Sequence, residues 1–200
     1  MMIVDSTIAG YEARSNPGGI YAVENSDAVT NIYSSTIAYN DADQDRDSNG
    51  AGRGVFIDTC LGDTFNIRNT LLAGNTVGNQ PVPDDCAYNS GGTLFSYGRN
   101  LLGTNDGRLV STVDGTWNYF SSLALLGALQ NNGGPTQTVA LLSGGYNNAI
   151  NGGDPLQGCV DDLGIPTATD QRGFARAVGS RCDIGAYEFD PDRIFSNGFD

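Results

Sequence analysis

Neither lysine nor histidine occurs among the 200 residues of this chain. The absence of histidine excludes Ser-His-Asp and Cys-His catalytic pairs and histidine-ligated zinc or iron. The absence of lysine excludes the Walker phosphate loop, Schiff-base chemistry and Ser-Lys dyads. Carboxylates, tyrosine, arginine and oxygen ligands for hard cations are the chemistry that remains.

Positive charge is scarce, because ten arginines face 23 acidic residues and the formal net charge is −13. The arginines are scattered singly along the chain. The negative charge of the chain would therefore repel a nucleic acid or an anionic membrane. We expect no nucleic-acid partner.

Long apolar runs are also lacking. No stretch approaches the roughly 18 to 20 apolar residues of a spanning helix, and residues 1–5 do not begin a signal peptide. The four cysteines contain no Cys-x-x-Cys pair and, without histidine, fit disulfides better than zinc, which indicates an oxidising compartment. The two indications agree only if Met1 is not the natural start of the folded unit, and this is what we expect.

Glycine and asparagine are abundant, at 28 and 19 residues, whereas charged residues make up only 16% of the chain. Both residue types tolerate positive φ, so their number predicts many sharp corners. The hydrophobic content of 39% is sufficient for a core and too high for simple disorder. The composition therefore favours a turn-rich chain over a helical one.

A 35-residue repeat is visible in the first half of the chain. Gly19-Ile20-Tyr21 recurs as Gly54-Val55-Phe56, and no gap is needed in the residues that follow. The further matches are Asn31 with Asn66, Ile32 with Ile67, Ala38 with Ala73 and Asn40 with Asn75. A partial copy upstream, at an offset of 29 residues, matches Ile3 and residues 6–9 with Ile32 and residues 35–38. The chain thus opens inside a repeat.

The repeated segments are typical of short β-strands. They are rich in Thr, Ile, Val, Tyr and Phe, and none holds a helical stripe for three turns. One such unit cannot bury its apolar side alone, but copies stacked about 4.8 Å apart would place Ile3, Ile32 and Ile67 in one continuous core. The sequence therefore predicts an all-β protein, a parallel β-helix (solenoid) over residues 1–122.

Asn40 and Asn75 would then fall at one corner of successive coils. Two interpretations of this match stand equally. The amides form a hydrogen-bonded ladder along the stack, or asparagine serves there only as a turn former.

The segment Gly18-Gly19-Ile20-Tyr21, followed by a strand and by Ser35-Thr36-Ile37-Ala38-Tyr39-Asn40, resembles the right-handed β-helix repeats of bacterial surface proteins, including polymorphic outer-membrane proteins. Three segments of the second half, residues 126–142, 169–176 and 182–188, resemble the choice-of-anchor Q domain. They read LGALQNNGGPTQTVALL, TDQRGFAR and CDIGAYE.

That resemblance implies a right-handed solenoid with a loop-rich C-terminal cap at residues 123–189, placed at the C-terminal end of a secreted bacterial protein. A variable anchoring or sorting tail, here residues 190–200, is expected to follow. Residues 147–150 read Asn-Asn-Ala-Ile where the family usually has Ser-Pro-Ala-Ile, and Val139 stands where histidine is frequent. The family pattern carries no catalytic group that can be transferred to this chain.

Cysteine positions suggest how the chain is cross-linked. Cys159 and Cys182 flank the segment 170–173, and we predict that they form a disulfide. Closing this interval of 23 residues contributes about 3 kcal/mol by restricting the unfolded chain. Cys60 and Cys86 would then form the second bridge, the most local of three connectivities, and the sequence leaves the other two open.

Asp170, Arg172, Asp183 and Glu188 form the strongest candidate for acid/base chemistry on a sugar. Structural ion pairs are the commoner use of such residues in a loop-rich segment, and this is what we expect of them. The sequence therefore predicts no catalytic residue.

Trp117 and Tyr119 form an aromatic pair that could stack on a sugar ring. Burial is the usual role of such side chains. We therefore expect both to pack the junction between repeats and cap.

The acidic run at residues 41–50 has the spacing of metal ligands. From Asp45 it reads D-x-D-x-N-G, the first half of a calcium loop, but position twelve is Phe56 rather than the bidentate Glu. The candidate ligands are Asp43, Asp45, Asp47 and Asn49. A solvated acidic loop is the commoner structure for such a run, and weak calcium binding is the alternative.

Three function classes follow. The first is a non-catalytic surface protein, adhesin-like or carbohydrate-binding, whose partner is an extracellular polysaccharide or a neighbouring cell surface. The second is a β-helical polysaccharide lyase or glycoside hydrolase with catalytic coils upstream, and the third is a purely structural stalk. The family resemblance implies the outside of a Gram-negative cell, with the tail contacting secretion or anchoring machinery.

Overall fold

The computed structural model describes residues 1–14, 18–24, 29–43, 54–59, 64–78, 85–88, 94–104, 110–112, 117–120, 125–154, 159–161, 163–176 and 178–193. These residues contain seventeen β-strands and no helix, which confirms the expected all-β class. The strands are β1 (Met2–Val4), β2 (Thr7–Ala9), β3 (Ile20–Glu24), β4 (Val29–Tyr33), β5 (Thr36–Ala38), β6 (Asp41–Ala42), β7 (Val55–Thr59), β8 (Thr64–Arg68), β9 (Leu71–Ala73), β10 (Thr76–Val77), β11 (Cys86–Tyr88), β12 (Leu94–Ser96), β13 (Leu101–Leu102), β14 (Val110–Thr112), β15 (Tyr119–Phe120), β16 (Leu126–Gln130) and β17 (Thr138–Leu141).

Three parallel sheets contain most of these strands. Sheet I has the order β1-β4-β8-β12-β14, sheet II the order β2-β5-β9-β13-β15, and sheet III the order β3-β7-β11. A short parallel pair joins β6 to β10, and β16 and β17 form an antiparallel hairpin. The chain visits the sheets in a recurring order. Each of the units β3 to β5, β7 to β9 and β11 to β13 adds one strand to each sheet, whereas the described strands β1 and β2, and then β14 and β15, extend only sheets I and II.

The strand register reproduces the repeat seen in the sequence. Ile32 pairs with Ile3 on one side and with Ile67 on the other. Ala38 likewise lies between Ala9 and Ala73. The predicted stacking of Ile32 on Ile67 is confirmed, and equivalent residues of successive repeats form columns across the sheets.

The alternate side chains of these columns form an inner core between the three sheets. Its buried members are Ile20, Ala22, Ile32, Ile37, Val55, Ile57, Phe65, Ile67, Leu72, Cys86, Leu94 and Leu102. Ile3 and Ile8 of the first repeat pack against this cluster while remaining partly exposed. Stacking of repeats thus buries what one repeat could not bury alone.

The central strands of sheet II, β5, β9 and β13, are buried on both faces. Leu72 of β9 belongs to the inner core, whereas Leu71 and Ala73 belong to a second cluster on the outer face, together with Leu101 of β13. The C-terminal segment, by which we mean the described part of residues 125–193, supplies the other side chains of this outer core. They are Ala140, Leu141, Ala149, Ile184 and Tyr187.

The C-terminal segment therefore lies along the outer face of sheet II and contacts several repeats. We expected a cap that closes one end of the repeat array. The segment lies along sheet II and not only at one end of the array because the outer face of that sheet consists of leucine and alanine side chains. Covering this face removes their apolar surface from water.

Left-handed backbone recurs at equivalent corners. Asp5, Ser34 and Asn69 have φ of 44°, 46° and 49°, and each stands two residues before a strand of sheet II. A second corner, after that strand, is left-handed at Gly10, Tyr39 and Gly74. The corners predicted from the Gly and Asn content are thus present, although Asp, Ser and Tyr also occupy them.

Candidate functional site

The four charged residues singled out in the sequence meet in the C-terminal segment. Arg172 Nη2 lies 2.7 Å from Asp170 Oδ2, and both side chains are almost completely buried. The Asp170 carboxylate also accepts hydrogen bonds from the backbone N–H groups of Arg172, Phe174 and Glu188. The Arg172 guanidinium stacks on the Tyr187 ring at 3.6 Å and donates to the Glu188 carbonyl.

Asp183 and Glu188 complete this group, again through backbone donors. Glu188 accepts hydrogen bonds from the N–H groups of Asp183 and Val178, at 2.9 and 3.2 Å. Asp183 accepts from the N–H groups of Asn151 and Phe189. Each carboxylate therefore holds two backbone segments together.

Arg176 joins the group to the repeats, and sequence reasoning missed it. Its Nη2 lies 2.6 Å from Asp5 Oδ1, and Nη1 lies 3.8 Å from Glu188 Oε2. Nη2 also donates to the carbonyls of Ser34 and Gly185. No local pattern could have revealed this contact, since Asp5 is 171 residues away along the chain. We call Asp170, Arg172, Arg176, Asp183 and Glu188 the buried charge cluster.

Protonation in this cluster is shifted by burial. Loss of solvent, followed by the charge of Glu188, raises the pKa of Asp183 to about 7, against the hydrogen bonds from Asn151 and Phe189 and the charge of Arg176. Burial also raises the pKa of Asp5 above its ordinary value, although the Arg176 guanidinium acts in the opposite direction.

The geometry indicates a structural role for the buried charge cluster. The side chains of Asp170, Arg172 and Glu188 are at most 1% exposed, so a dissolved polysaccharide has no access to them. Their hydrogen-bonding capacity is directed at backbone groups of the protein itself. A perturbed pKa in a structural network of this kind is not by itself evidence of catalysis.

The Cys159–Cys182 disulfide is confirmed, with 6.0 Å between the two Cα atoms. It is buried against the repeats, where Asn69 Nδ2 lies 2.9 Å from Cys159 Sγ and also donates to the Asp183 carbonyl. Cys86 is buried in the inner core, and Cys60 lies outside the described residues. The second predicted bridge therefore stays a prediction.

The calcium hypothesis falls mostly on residues that the structure does not describe, since Asp45, Asp47 and Asn49 lie outside the described ranges. Asp43, the remaining candidate ligand, is buried with a left-handed φ of 57°. Within the described ranges, no group of three or more acidic or cysteine side chains is placed to hold a metal ion. The calcium site also stays a prediction.

The aromatic pair separates in the structure. Tyr119 packs against the outer core, and its hydroxyl accepts a hydrogen bond from Arg99 Nη1 at 2.7 Å. Trp117, in contrast, is 76% exposed, so the expectation that it packs the junction was wrong. The physical reason is position, because Trp117 precedes β15, the last strand of sheet II, at the margin of the array.

The asparagine ladder is present. Asn40 Nδ2 donates to Asn75 Oδ1 at 2.8 Å, and Asn75 Nδ2 donates to the buried carboxylate of Asp85 at 2.8 Å. Burial raises the pKa of Asp85, while hydrogen bonds from Asn75 and Thr104 lower it. Sequence reasoning missed Asp85, because it lies only 10 residues after Asn75 and outside the 35-residue offset.

Sheet I directs a polar and aromatic column away from the inner core. Tyr33 pairs with Arg68, and Tyr97 follows β12 at the same level, where its N–H donates to the Ile67 carbonyl. The Arg68 guanidinium lies 6.0 Å from the centre of the Tyr33 ring, and its Nε donates to the Tyr97 carbonyl at 2.8 Å. All three side chains are partly exposed. We call Tyr33, Arg68 and Tyr97 the outer strip.

An amide pair lies beside the outer strip. Asn66 Nδ2 donates to Asn31 Oδ1 at 2.8 Å. The two residues pair with each other on β8 and β4, two residues before Arg68 and Tyr33. The described outward side chains of sheet I are Met2, Val4, Val29, Asn31, Tyr33, Thr64, Asn66, Arg68, Phe95 and Tyr97, with one cation and no carboxylate among them.

No protein-family model matches the chain, and neither a curated protein nor a solved structure matches it significantly. Within the described ranges, no helix has the length and apolar character needed to cross a membrane.

Proposed function

We propose that this protein is a non-catalytic, secreted or cell-surface module that binds extracellular polysaccharide on a right-handed parallel β-helix. The outer strip with its neighbouring amides is the observation that carries the proposal. It combines tyrosine rings, a guanidinium and side-chain amides on a regular, partly exposed sheet face. Such groups offer apolar faces and hydrogen bonds to a sugar together.

Several features support the solenoid architecture. The recurring strand order and the uninterrupted columns from Ile3 through Ile32 to Ile67 are what coils of a β-helix require. The right hand of the helix and the membership of the C-terminal segment in the choice-of-anchor Q family rest on the sequence resemblance. The Cys159–Cys182 disulfide favours an oxidising location outside the cytoplasm.

The candidate acid/base residues support a binding module over a lyase or hydrolase. Asp170, Asp183 and Glu188 are buried, and each accepts hydrogen bonds from backbone amides. Chemistry on a sugar needs a group within hydrogen-bond reach of the substrate. These carboxylates are committed instead to holding the C-terminal segment together.

Affinity electrophoresis in gels that contain neutral and acidic polysaccharides tests this proposal. The intact protein should be retarded by at least one polymer, and the polymer should keep its length on prolonged incubation. A Tyr97→Ala variant should lose retardation, whereas Tyr146→Ala, which removes an 88% exposed tyrosine from the C-terminal segment, should not. Absence of retardation by every polymer, or shortening of the polymer, would contradict the proposal.

A further inference from the structure

Arg68 is held in a fixed position on the outer strip. Its stem packs beside Gly98, where an added Cβ would lie 2.8 Å from Arg68 Cγ. Its Nε donates a hydrogen bond to the Tyr97 carbonyl, and its guanidinium lies beside the Tyr33 ring. A side chain constrained at its stem, at Nε and beside an aromatic ring loses little conformational entropy when it binds a ligand.

The terminal nitrogens of Arg68 remain for a ligand. Among the described residues, neither Nη1 nor Nη2 has a hydrogen-bond acceptor, and no carboxylate forms an ion pair with this guanidinium. Arg172 and Arg176, which are buried, differ in this respect, since their terminal nitrogens form ion pairs with Asp170 and Asp5. A planar guanidinium with two open nitrogens matches a carboxylate in geometry and charge.

Local charge also favours an anion at this place. The chain carries a net charge of −13, which repels polyanions in general. The described outward side chains of sheet I nevertheless hold a single cation and no carboxylate. The described side chains of this face therefore lack the excess of negative charge that the chain carries as a whole.

We propose that the outer strip recognises an acidic polysaccharide, with Arg68 binding the carboxylate of a uronic acid unit and the Tyr33 and Tyr97 rings lying beside the sugar. This inference rests on the proposed polysaccharide-binding function and gives it a substrate class. No covalent step is involved, so recognition depends on the charge-assisted hydrogen bonds of Arg68.

The test compares binding of polygalacturonate with binding of the same polymer after methyl esterification, measured by titration calorimetry. The two ligands differ only in the carboxylate. The wild-type protein should bind polygalacturonate at least about tenfold more tightly than the ester, and the difference should shrink as salt rises. Arg68→Gln should remove this preference and leave binding of the ester unchanged.

Two variants control for charge and for folding. Arg14→Gln removes the same charge from an exposed position outside sheet I and should keep the preference for polygalacturonate. Arg68→Lys keeps the charge but lacks the planar fork, so its preference should be reduced and its thermal unfolding unchanged.

Equal binding of both polymers by the wild type, or equal loss in Arg14→Gln and Arg68→Gln, would overturn the role of Arg68 and leave the polysaccharide-binding function standing. Wild-type affinity in Arg68→Lys would overturn the bidentate contact. Failure of both polymers to bind, together with failure of every polymer in the electrophoresis, would overturn the function itself.

Discussion

Asp183 couples the stability of this fold to pH. Its pKa of about 7 in the folded protein lies well above the ordinary value of 3.8. The folded state therefore binds a proton that the unfolded state has already released between these two values. Stability from this group is present at low pH and is lost as pH rises through 7.

We expect the free energy of unfolding to be greater at pH 5.5 than at pH 8 by about 2 kcal/mol from this group. Urea unfolding at the two pH values measures it. Asp183→Asn should flatten the dependence, since an amide does not titrate, whereas Asp192→Asn, at an exposed position, should keep it. The same pH dependence in wild type and Asp183→Asn would show that another group is responsible.

Within the repeats, the roles of residues were predictable from sequence where the fixed offset aligned them. Asn40 and Asn75 could be aligned at a fixed offset, so a ladder between them was one of two interpretations. Arg176 had no such reference, because its partner Asp5 lies in the first repeat and the two meet only after the chain has folded.

At the scale of the element, the residue before β7 shows why two neighbouring copies of the repeat both have glycine there, Gly19 and Gly54. A Cβ on Gly54 would lie 2.6 Å from Asn75 Nδ2 and 2.7 Å from Leu72 Cδ1. The strand can therefore approach the ladder closely only because residue 54 has no side chain.

Gly54→Ala should lower the free energy of unfolding by about 1–3 kcal/mol, because the added methyl group must displace a buried amide or a core leucine. Gly144→Ala provides the matched control, since its Cβ would meet no atom within 4 Å. Thermal unfolding of both variants measures the difference. A Gly54→Ala variant as stable as Gly144→Ala would show that Asn75 and Leu72 can move aside without a loss of stability.

Strand type was readable in the sequence, but the second buried face of sheet II was not recognised. The signal was the run Leu71-Leu72-Ala73, which is apolar on both faces as strands between two layers commonly are. A strand such as β8 alternates polar and apolar residues, and this pattern favoured one buried face. Exposure also depends on where a residue lies within the array. Trp117 is exposed because it lies at the margin of the array.

At the scale of the whole molecule, the repeats and the C-terminal segment share one hydrophobic layer. Leu71, Ala73 and Leu101 from the repeats pack with Ile184 and Tyr187 from the C-terminal segment. The repeat array alone would present these leucines to water as a continuous apolar patch, and such patches promote association.

A fragment of residues 1–124 should therefore self-associate, while the full chain should not do so through this face. Light scattering and size-exclusion chromatography of the two proteins measure the difference. Leu71→Thr combined with Leu101→Thr should increase the monomeric fraction of the fragment, because both side chains belong to the outer face. A monomeric, folded wild-type fragment would contradict the prediction that the exposed outer face promotes association.

The three left-handed corners at Asp5, Ser34 and Asn69 also constrain how this protein can evolve. Repeat arrays commonly change length by gaining or losing a whole unit. Here Arg176 contacts Asp5 and Ser34, while the Gly185 N–H donates to the Asn69 carbonyl. One unit inserted between Ser34 and Asn69 would move the third contact by a strand spacing of about 4.8 Å, beyond hydrogen-bond reach. The C-terminal segment thus fixes the number of units between Asp5 and Asn69, and we expect duplications to be tolerated only outside that span.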